Sequence, residues 1–186
     1  MTPLLIVVDG VAGAGKTTVI TSAMRGLTAA GVRVLHKQWL DPSSNTDAIK
    51  KFDHAYDQAV ALDASLDDKA ARYDVIICDT HPCITLPINN THAARGQKLW
   101  QPLHKPDFVL LLSCNLYNAI LRKGSVHHHL FLKKSDLFDG LTAADIGTTH
   151  YTRAKTDDSL QMLFAAGDLR GEIMRLLDQR KTECAS

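Results

Sequence analysis

No long hydrophobic run occurs in this sequence of 186 residues. The first apolar run covers residues 4–8, which is only five residues before Asp9. A signal peptide needs an apolar core of about seven residues or more, and a membrane-spanning helix needs about twenty. The sequence therefore predicts neither a secretory leader nor a membrane span, and we expect a cytoplasmic protein.

An excess of charge of one sign is also missing, because the formal net charge is only +1. The chain as a whole therefore lacks the basic footprint that favours nucleic acid or an anionic membrane, although a local cationic patch stays open.

The four cysteines form no Cys-x-x-Cys pair. This spacing excludes the common dithiol and zinc motifs and favours reduced thiols in an intracellular protein.

Neither disorder nor several domains is indicated by the composition. Hydrophobic residues make up 45% of the chain and charged residues 22%, which is the ordinary balance of a soluble globular enzyme. The length suffices for one hydrophobic core without disulfides or a structural metal. We therefore interpret residues 1–186 as a single domain.

Apolar runs alternate with helical patterns along the chain. The runs predict five strands, at residues 4–8, 32–40, 75–78, 108–112 and 161–165. The helical patterns lie at residues 16–30, 46–71, 90–101, 116–123 and 168–179. Because parallel strands need helical crossovers that cover the sheet, this order predicts an α/β fold with a five-stranded parallel sheet and helices on both faces. Residues 124–150 are the least regular part and are interpreted as a mobile insert.

A phosphate-binding loop is the strongest motif in the sequence. Residues 10–17 match the pattern G-x-x-x-x-G-K-[ST] between a predicted strand and a predicted helix, which is the context that this motif requires. Such a loop turns its backbone N–H groups toward the phosphates of ATP, and the helix adds its positive amino-terminal end. The predicted phosphate-binding residues are Gly10, Ala12, Gly13, Ala14, Gly15, Lys16, Thr17 and Thr18.

Three side chains have predicted roles in catalysis at this loop. Lys16 supplies positive charge to the outer phosphates, and the Thr17 hydroxyl is a ligand for Mg²⁺. Asp79 ends the third predicted strand beside the loop, so its carboxylate is expected to hold the same ion directly or through water. The alternative for Asp79 is an aspartate that only begins a turn.

The guanine-reading signature Asn-Lys-x-Asp of GTPases is absent. Its nearest approach, Lys133-Lys134-Ser135-Asp136, lacks the asparagine and does not follow a predicted strand, and no Asp-x-x-Gly motif follows Asp79. The sequence therefore favours ATP as the nucleotide.

The chain resembles the thymidylate kinase group of nucleoside and nucleotide kinases. The resemblance rests on residues 8–18 (VDGVAGAGKTT), 77–79 (ICD) and 106–112 (PDFVLLL). It implies a three-layer P-loop NTPase fold, a lid at about residues 122–150 that closes over ATP, and a lid cation at Arg122. It also implies that Asp41, which precedes Pro42 after the second strand, is the base for the acceptor hydroxyl. A turn-capping aspartate is the alternative for Asp41.

Two departures from this group concern the acceptor. Thr80 follows Asp79 where the group has arginine, and Gln58 stands near the place of a second arginine. A monophosphate would lose its usual bidentate partners there, which favours an uncharged hydroxyl acceptor. Trp39 and His81 are further candidates for acceptor contacts, with core packing as the alternative for each.

The irregular insert contains three adjacent histidines, at positions 127–129, and the basic pair Lys133 and Lys134. Consecutive side chains point in different directions and no carboxylate or cysteine lies at ligand spacing, so we predict no metal site there. The histidines and the lysine pair are interpreted as parts of a solvated loop.

These observations favour an ATP- and Mg²⁺-dependent kinase that phosphorylates a nucleoside, a nucleotide or a related small metabolite. Three alternatives stay open: an antibiotic or secondary metabolite as the acceptor, a modified base in DNA, and a regulatory ATPase that acts on a protein partner. A nucleic-acid partner is not favoured, and a homodimer stays open.

Overall fold

The computed structural model describes residues 2–38, 60–61, 64–69, 71–80, 105–124, 126, 128–142, 148 and 150–185. The strands are β1 (Leu4–Gly10), β2 (Val34–Gln38), β3 (Val75–Asp79), β4 (Phe108–Ser113) and β5 (Tyr151–Lys155). The helices in this part of the chain are α1 (Lys16–Ala29), α2 (Leu66–Lys69), α3 (Leu116–Lys123), α4 (His128–Gly140) and α5 (Ser159–Ala185). Most of the predicted helix 46–71 and all of the predicted helix 90–101 lie outside the described residues.

The five strands form one parallel sheet in the order β2-β3-β1-β4-β5. Strands β1 and β3 are buried along their whole length, which explains why they are continuous apolar runs rather than alternating ones. The predicted fold class is confirmed: this is an α/β fold of the P-loop NTPase type, with β1 at the centre of the sheet.

Helices α1 and α5 pack against each other and against the sheet. Helix α1 buries Val19, Ile20, Ala23 and Leu27, whose spacing places them on one face of the helix. In the part of the chain that the structure describes, no helix is long and apolar enough to cross a membrane.

The predicted fifth strand at residues 161–165 is wrong, because these residues belong to helix α5. The fifth strand is β5, which pairs with β4 and forms the edge of the sheet in the part of the chain that the structure describes. Its residues are half-buried or exposed, so it lacks the apolar run that marks a central strand. The predicted helix 168–179 is confirmed as part of the longer α5.

The insert at residues 124–150 was predicted to be irregular, and this is wrong for residues 128–140, which form α4. Phe131 and Phe138 of α4 are buried and join the hydrophobic core. The Arg153 guanidinium of β5 donates hydrogen bonds to the Phe138 and Leu141 carbonyl oxygens, at 2.6 and 2.7 Å. These bonds satisfy carbonyl groups at the end of α4 and join the helix to the edge strand.

Candidate nucleotide-binding site

The loop between β1 and α1 has a backbone that only glycine adopts readily. Gly15 directly precedes α1 with φ 77° and ψ 22°, in the left-handed region that L side chains disfavour. Gly13 has φ 79°, and a Cβ atom there would lie 2.8 Å from the Ala119 Cα atom of α3. Both positions therefore require glycine for conformation, and Gly13 requires it for close packing as well.

Lys16 begins α1 and its side chain folds back across the loop. Its Nζ atom donates hydrogen bonds to the carbonyl oxygens of Gly10, at 2.9 Å, and Val11, at 3.4 Å. The ammonium group is thus held at the mouth of the loop, where it can exchange a carbonyl partner for a phosphate oxygen.

Thr17 and Asp79 are brought together by the pairing of β1 with β3. Val8 is the register partner of Asp79, so the carboxyl end of β3 lies beside the loop that follows β1. The Thr17 hydroxyl donates a hydrogen bond of 2.9 Å to the Asp79 carboxylate, which is 6% exposed. A hydroxyl and a carboxylate oxygen are hard donors that suit Mg²⁺, which takes its other ligands from phosphate and water. The residues present therefore fit the ion.

Arg122 lies near the end of α3 and bridges two segments of backbone. Its guanidinium donates hydrogen bonds to the carbonyl oxygens of Gly13, at 3.0 Å, and of Thr156 and Asp157. The side chain also lines the cavity above the loop. It joins the phosphate loop to the segment that follows β5, and it retains N–H groups that could meet a nucleotide.

Thr156 was not predicted from the sequence, although it is fully buried beside the loop. Its hydroxyl lies 2.7 Å from the Ala14 carbonyl oxygen and 3.0 Å from the Ser113 carbonyl oxygen. Thr156 was missed because the fifth strand was predicted at residues 161–165, whereas β5 ends directly before Thr156. A polar residue at the carboxyl end of a strand near the loop would have been the signal once β5 was placed correctly.

A cavity of about 600 Å³ opens over the phosphate loop. Eight of its lining residues were predicted site residues: Ala12, Gly13, Gly15, Lys16, Thr17, Thr18, Asp79 and Arg122. Four further lining residues were not predicted: Gln38, Thr80, Lys123 and Met162. Of the remaining predicted residues, Gly10 and Ala14 are buried and do not line the cavity. Trp39, Asp41, Gln58 and His81 lie outside the described residues, so their roles stay predictions.

Thr80 has an unusual backbone conformation at the edge of this cavity. Its φ is 67°, and it has the only positive φ of a non-glycine residue in the described part of the chain. A β-branched side chain is strained in this region. The Thr80 N–H donates a hydrogen bond of 2.9 Å to the Val8 carbonyl oxygen, which holds the strained turn against β1.

Residues 6–69 match the family model of the viral superfamily 1 RNA helicase core domain. The match covers most of β1, the phosphate loop, α1, β2 and α2, and it does not confirm the resemblance to the thymidylate kinase group. No curated protein matches the chain. The sheet, the glycine-rich loop and the matched segment all indicate that the chain carries a P-loop nucleotide-binding domain.

Proposed function

We propose that this protein is a Mg²⁺-dependent enzyme that cleaves the bond between the β- and γ-phosphates of ATP, with hydrolysis as its reaction. The observation that supports the proposal is the meeting of Lys16, Thr17 and Asp79 at one cavity. Phosphoryl transfer depends mainly on positioning and on neutralising the charge that develops on the phosphates. These residues offer both.

Each group at the loop would act on a different part of the triphosphate. Backbone N–H groups of the loop and the positive end of α1 would bind phosphate oxygens. The Lys16 ammonium would stabilise charge that builds up on the leaving β-phosphate and the transferring γ-phosphate. Thr17 and Asp79 would hold Mg²⁺, which supplies further neutralisation when it is bound.

Water is the acceptor in this proposal, and a macromolecule would control the reaction. Support comes from the match of residues 6–69 to an RNA helicase core domain, because helicases couple ATP hydrolysis to work on a nucleic acid. The nearly neutral net charge of the chain did not favour a nucleic-acid partner in the sequence analysis. We propose one here because a polyanion can bind a local patch on a nearly neutral protein.

A small-molecule kinase is the second candidate, and the extent of the cavity favours it. The cavity reaches from the cationic loop to Gln38 at the carboxyl end of β2 and to Thr80 after β3. This end offers neutral hydrogen-bonding groups to an acceptor hydroxyl. Asp41 as the base, with Trp39, Gln58 and His81 near the acceptor, remains the arrangement that the sequence predicts.

A two-product assay separates these functions. ADP and inorganic phosphate are measured together from Mg·ATP, with no addition, with single-stranded RNA, and with a panel of nucleosides, nucleotides and hydroxylated metabolites. Hydrolysis produces equal amounts of ADP and phosphate, and RNA should raise both. A kinase produces ADP in excess of phosphate, and only with its acceptor.

The Lys16→Ala variant is the control for this assay. Its turnover should fall by about 10²- to 10³-fold, because it lacks the charge that stabilises the transition state. If ADP exceeds inorganic phosphate in the presence of one small acceptor, the protein is a kinase and the proposal of hydrolysis is wrong. Absence of turnover in every arm, or equal turnover in Lys16→Ala, would contradict both candidates.

A further inference from the structure

We infer that Thr156 is a positioning residue for the phosphate loop, which acts by orienting the peptide between Ala14 and Gly15. This inference rests on the proposed binding of nucleotide at the loop. It does not depend on which acceptor receives the phosphoryl group.

The Thr156 hydroxyl has one proton and two nearby carbonyl acceptors. The Ser113 carbonyl already accepts a hydrogen bond of 2.8 Å from the Thr156 backbone N–H. The Ala14 carbonyl is closer to the hydroxyl, at 2.7 Å compared with 3.0 Å for Ser113. The proton is therefore directed to Ala14, whose buried carbonyl would lose this partner if the hydroxyl were removed.

This hydrogen bond fixes the direction of a donor on the opposite side of the loop. In a trans peptide the C=O and the following N–H point in opposite directions. The Ala14 carbonyl points toward Thr156, which does not line the cavity, so the Gly15 N–H is directed to the opposite side, and Gly15 itself lines the cavity. Thr156 thereby orients a phosphate-binding N–H without contacting the nucleotide.

Arg122 strengthens the same connection between the loop and the end of β5. Its guanidinium binds the Gly13 carbonyl of the loop and the Thr156 carbonyl at once. Two successive loop carbonyls, those of Gly13 and Ala14, thus accept hydrogen bonds from the Arg122 and Thr156 side chains. A loop held in this way loses less conformational freedom when it binds phosphates, which raises affinity.

The test compares Thr156→Val, which keeps the shape and removes the hydroxyl, with Thr156→Ser, which keeps the hydroxyl. Binding of Mg·ADP is measured by calorimetry at a temperature where circular dichroism shows each variant to be folded. Thr156→Val should raise Kd by about tenfold, which corresponds to about 1.4 kcal/mol. Thr156→Ser should keep Kd within about twofold of the wild type, a change of about 0.4 kcal/mol.

Thr152→Val is the matched control, because Thr152 is an exposed threonine of β5, the strand that ends one residue before Thr156. It should leave Kd unchanged. If Thr156→Val does not fold, Thr156→Cys takes its place, since a thiol is a weak donor of similar size. A lower melting temperature with an unchanged Kd would overturn the inference and leave Thr156 a purely structural residue. Absence of Mg·ADP binding by the wild type would overturn the proposed function as well.

Discussion

The Thr17–Asp79 pair is the part of the site where single side chains matter most for the proposed Mg²⁺ binding. The hydrogen bond between them spans 62 positions of sequence and depends on the pairing of β1 with β3. The sequence could predict both residues, because each has a local signal: Thr17 completes the loop motif and Asp79 ends an apolar strand. Their contact could not be predicted from either signal alone, since it depends on strand order.

Replacement of Asp79 by asparagine should weaken Mg²⁺ binding while it keeps the fold. The asparagine oxygen can still accept the Thr17 hydrogen bond, but the negative charge is lost. We expect the Mg²⁺ concentration that half-saturates nucleotide binding to rise by roughly 10- to 100-fold, the usual cost of altering a metal site. A titration of ADP binding against Mg²⁺ measures this change.

Two comparisons make the Asp79 result specific. Asp139→Asn, at an exposed position of α4, should leave the Mg²⁺ requirement unchanged. Binding of ADP without Mg²⁺ should not weaken in Asp79→Asn, because no ion is then involved. An unchanged Mg²⁺ requirement in Asp79→Asn would reduce Asp79 to a residue that begins a turn.

Central and edge strands differ in how well the sequence predicts them. Strands β1, β3 and β4 were predicted because burial on both faces selects continuous apolar runs. Strand β5 was missed because, among the described strands, it is paired on one side, and its sequence YTRAK is half-buried or exposed. The apolar cluster at residues 161–165 belongs instead to a helix on which Leu163 and Phe164 remain 60% and 62% exposed.

The contact between the phosphate loop and α3 leads to a prediction for Gly13. Gly13 and Gly31 have nearly the same φ, 79° and 81°, but only Gly13 has a close neighbour, because nothing lies within 4 Å of a Cβ at Gly31. Gly31→Ala should cost about 1–2 kcal/mol for the left-handed backbone alone. Gly13→Ala should cost a further 1–3 kcal/mol, roughly, because Ala119 must move.

Urea unfolding of the two alanine variants measures this difference, and calorimetry with Mg·ADP shows its effect on the site. Only Gly13→Ala should bind the nucleotide more weakly, since Gly31 lies at the other end of α1. Equal losses of stability in the two variants would mean that α3 does not constrain the loop.

An ion pair joins the segments that precede β2 and β3. The Arg33 guanidinium donates hydrogen bonds to both Asp74 carboxylate oxygens, at 3.1 and 2.6 Å, and its backbone N–H donates another at 2.8 Å. The hydrogen bonds from the Arg33 side chain lower the pKa of Asp74 below its ordinary value of 3.8, although partial burial opposes the shift. Because the pair is largely exposed, solvent screening keeps its contribution small.

The lowered pKa fixes the sign of a pH effect on stability. A carboxyl group with a lower pKa in the folded state stabilises the protein above its unfolded pKa, and this contribution is lost as pH falls through the folded pKa. The wild type should therefore melt about 1–3 °C above Asp74→Asn at pH 6. The difference should disappear as the pH falls below 3.8, and 1 M NaCl should reduce it at pH 6. If the difference in melting temperature persists in acid, it arises from the packing of the Asp74 side chain and not from its charge.

At the scale of the whole molecule, the donor side of the proposed reaction is better defined by the sequence than the acceptor side. The phosphate loop is one contiguous segment, so its motif, fold context and cavity agree. The predicted acceptor residues come from three separate segments, which contain Trp39 and Asp41, Gln58, and His81. Only tertiary structure brings such residues together, and sequence spacing carries no comparable signal for them.

Binding at the loop should stabilise the whole domain, because the central strand, α1, α3 and the end of β5 all contact it. A ligand at 100 times its Kd stabilises the folded state by about 2.7 kcal/mol. For a chain of this size that corresponds to a rise in melting temperature of roughly 5–11 °C. Mg·ADP should produce this shift in the wild type. Adenosine, which lacks phosphates, should not, and Lys16→Ala should lose most of the shift. An equal shift with adenosine would mean that the base, rather than the phosphate loop, provides most of the binding energy.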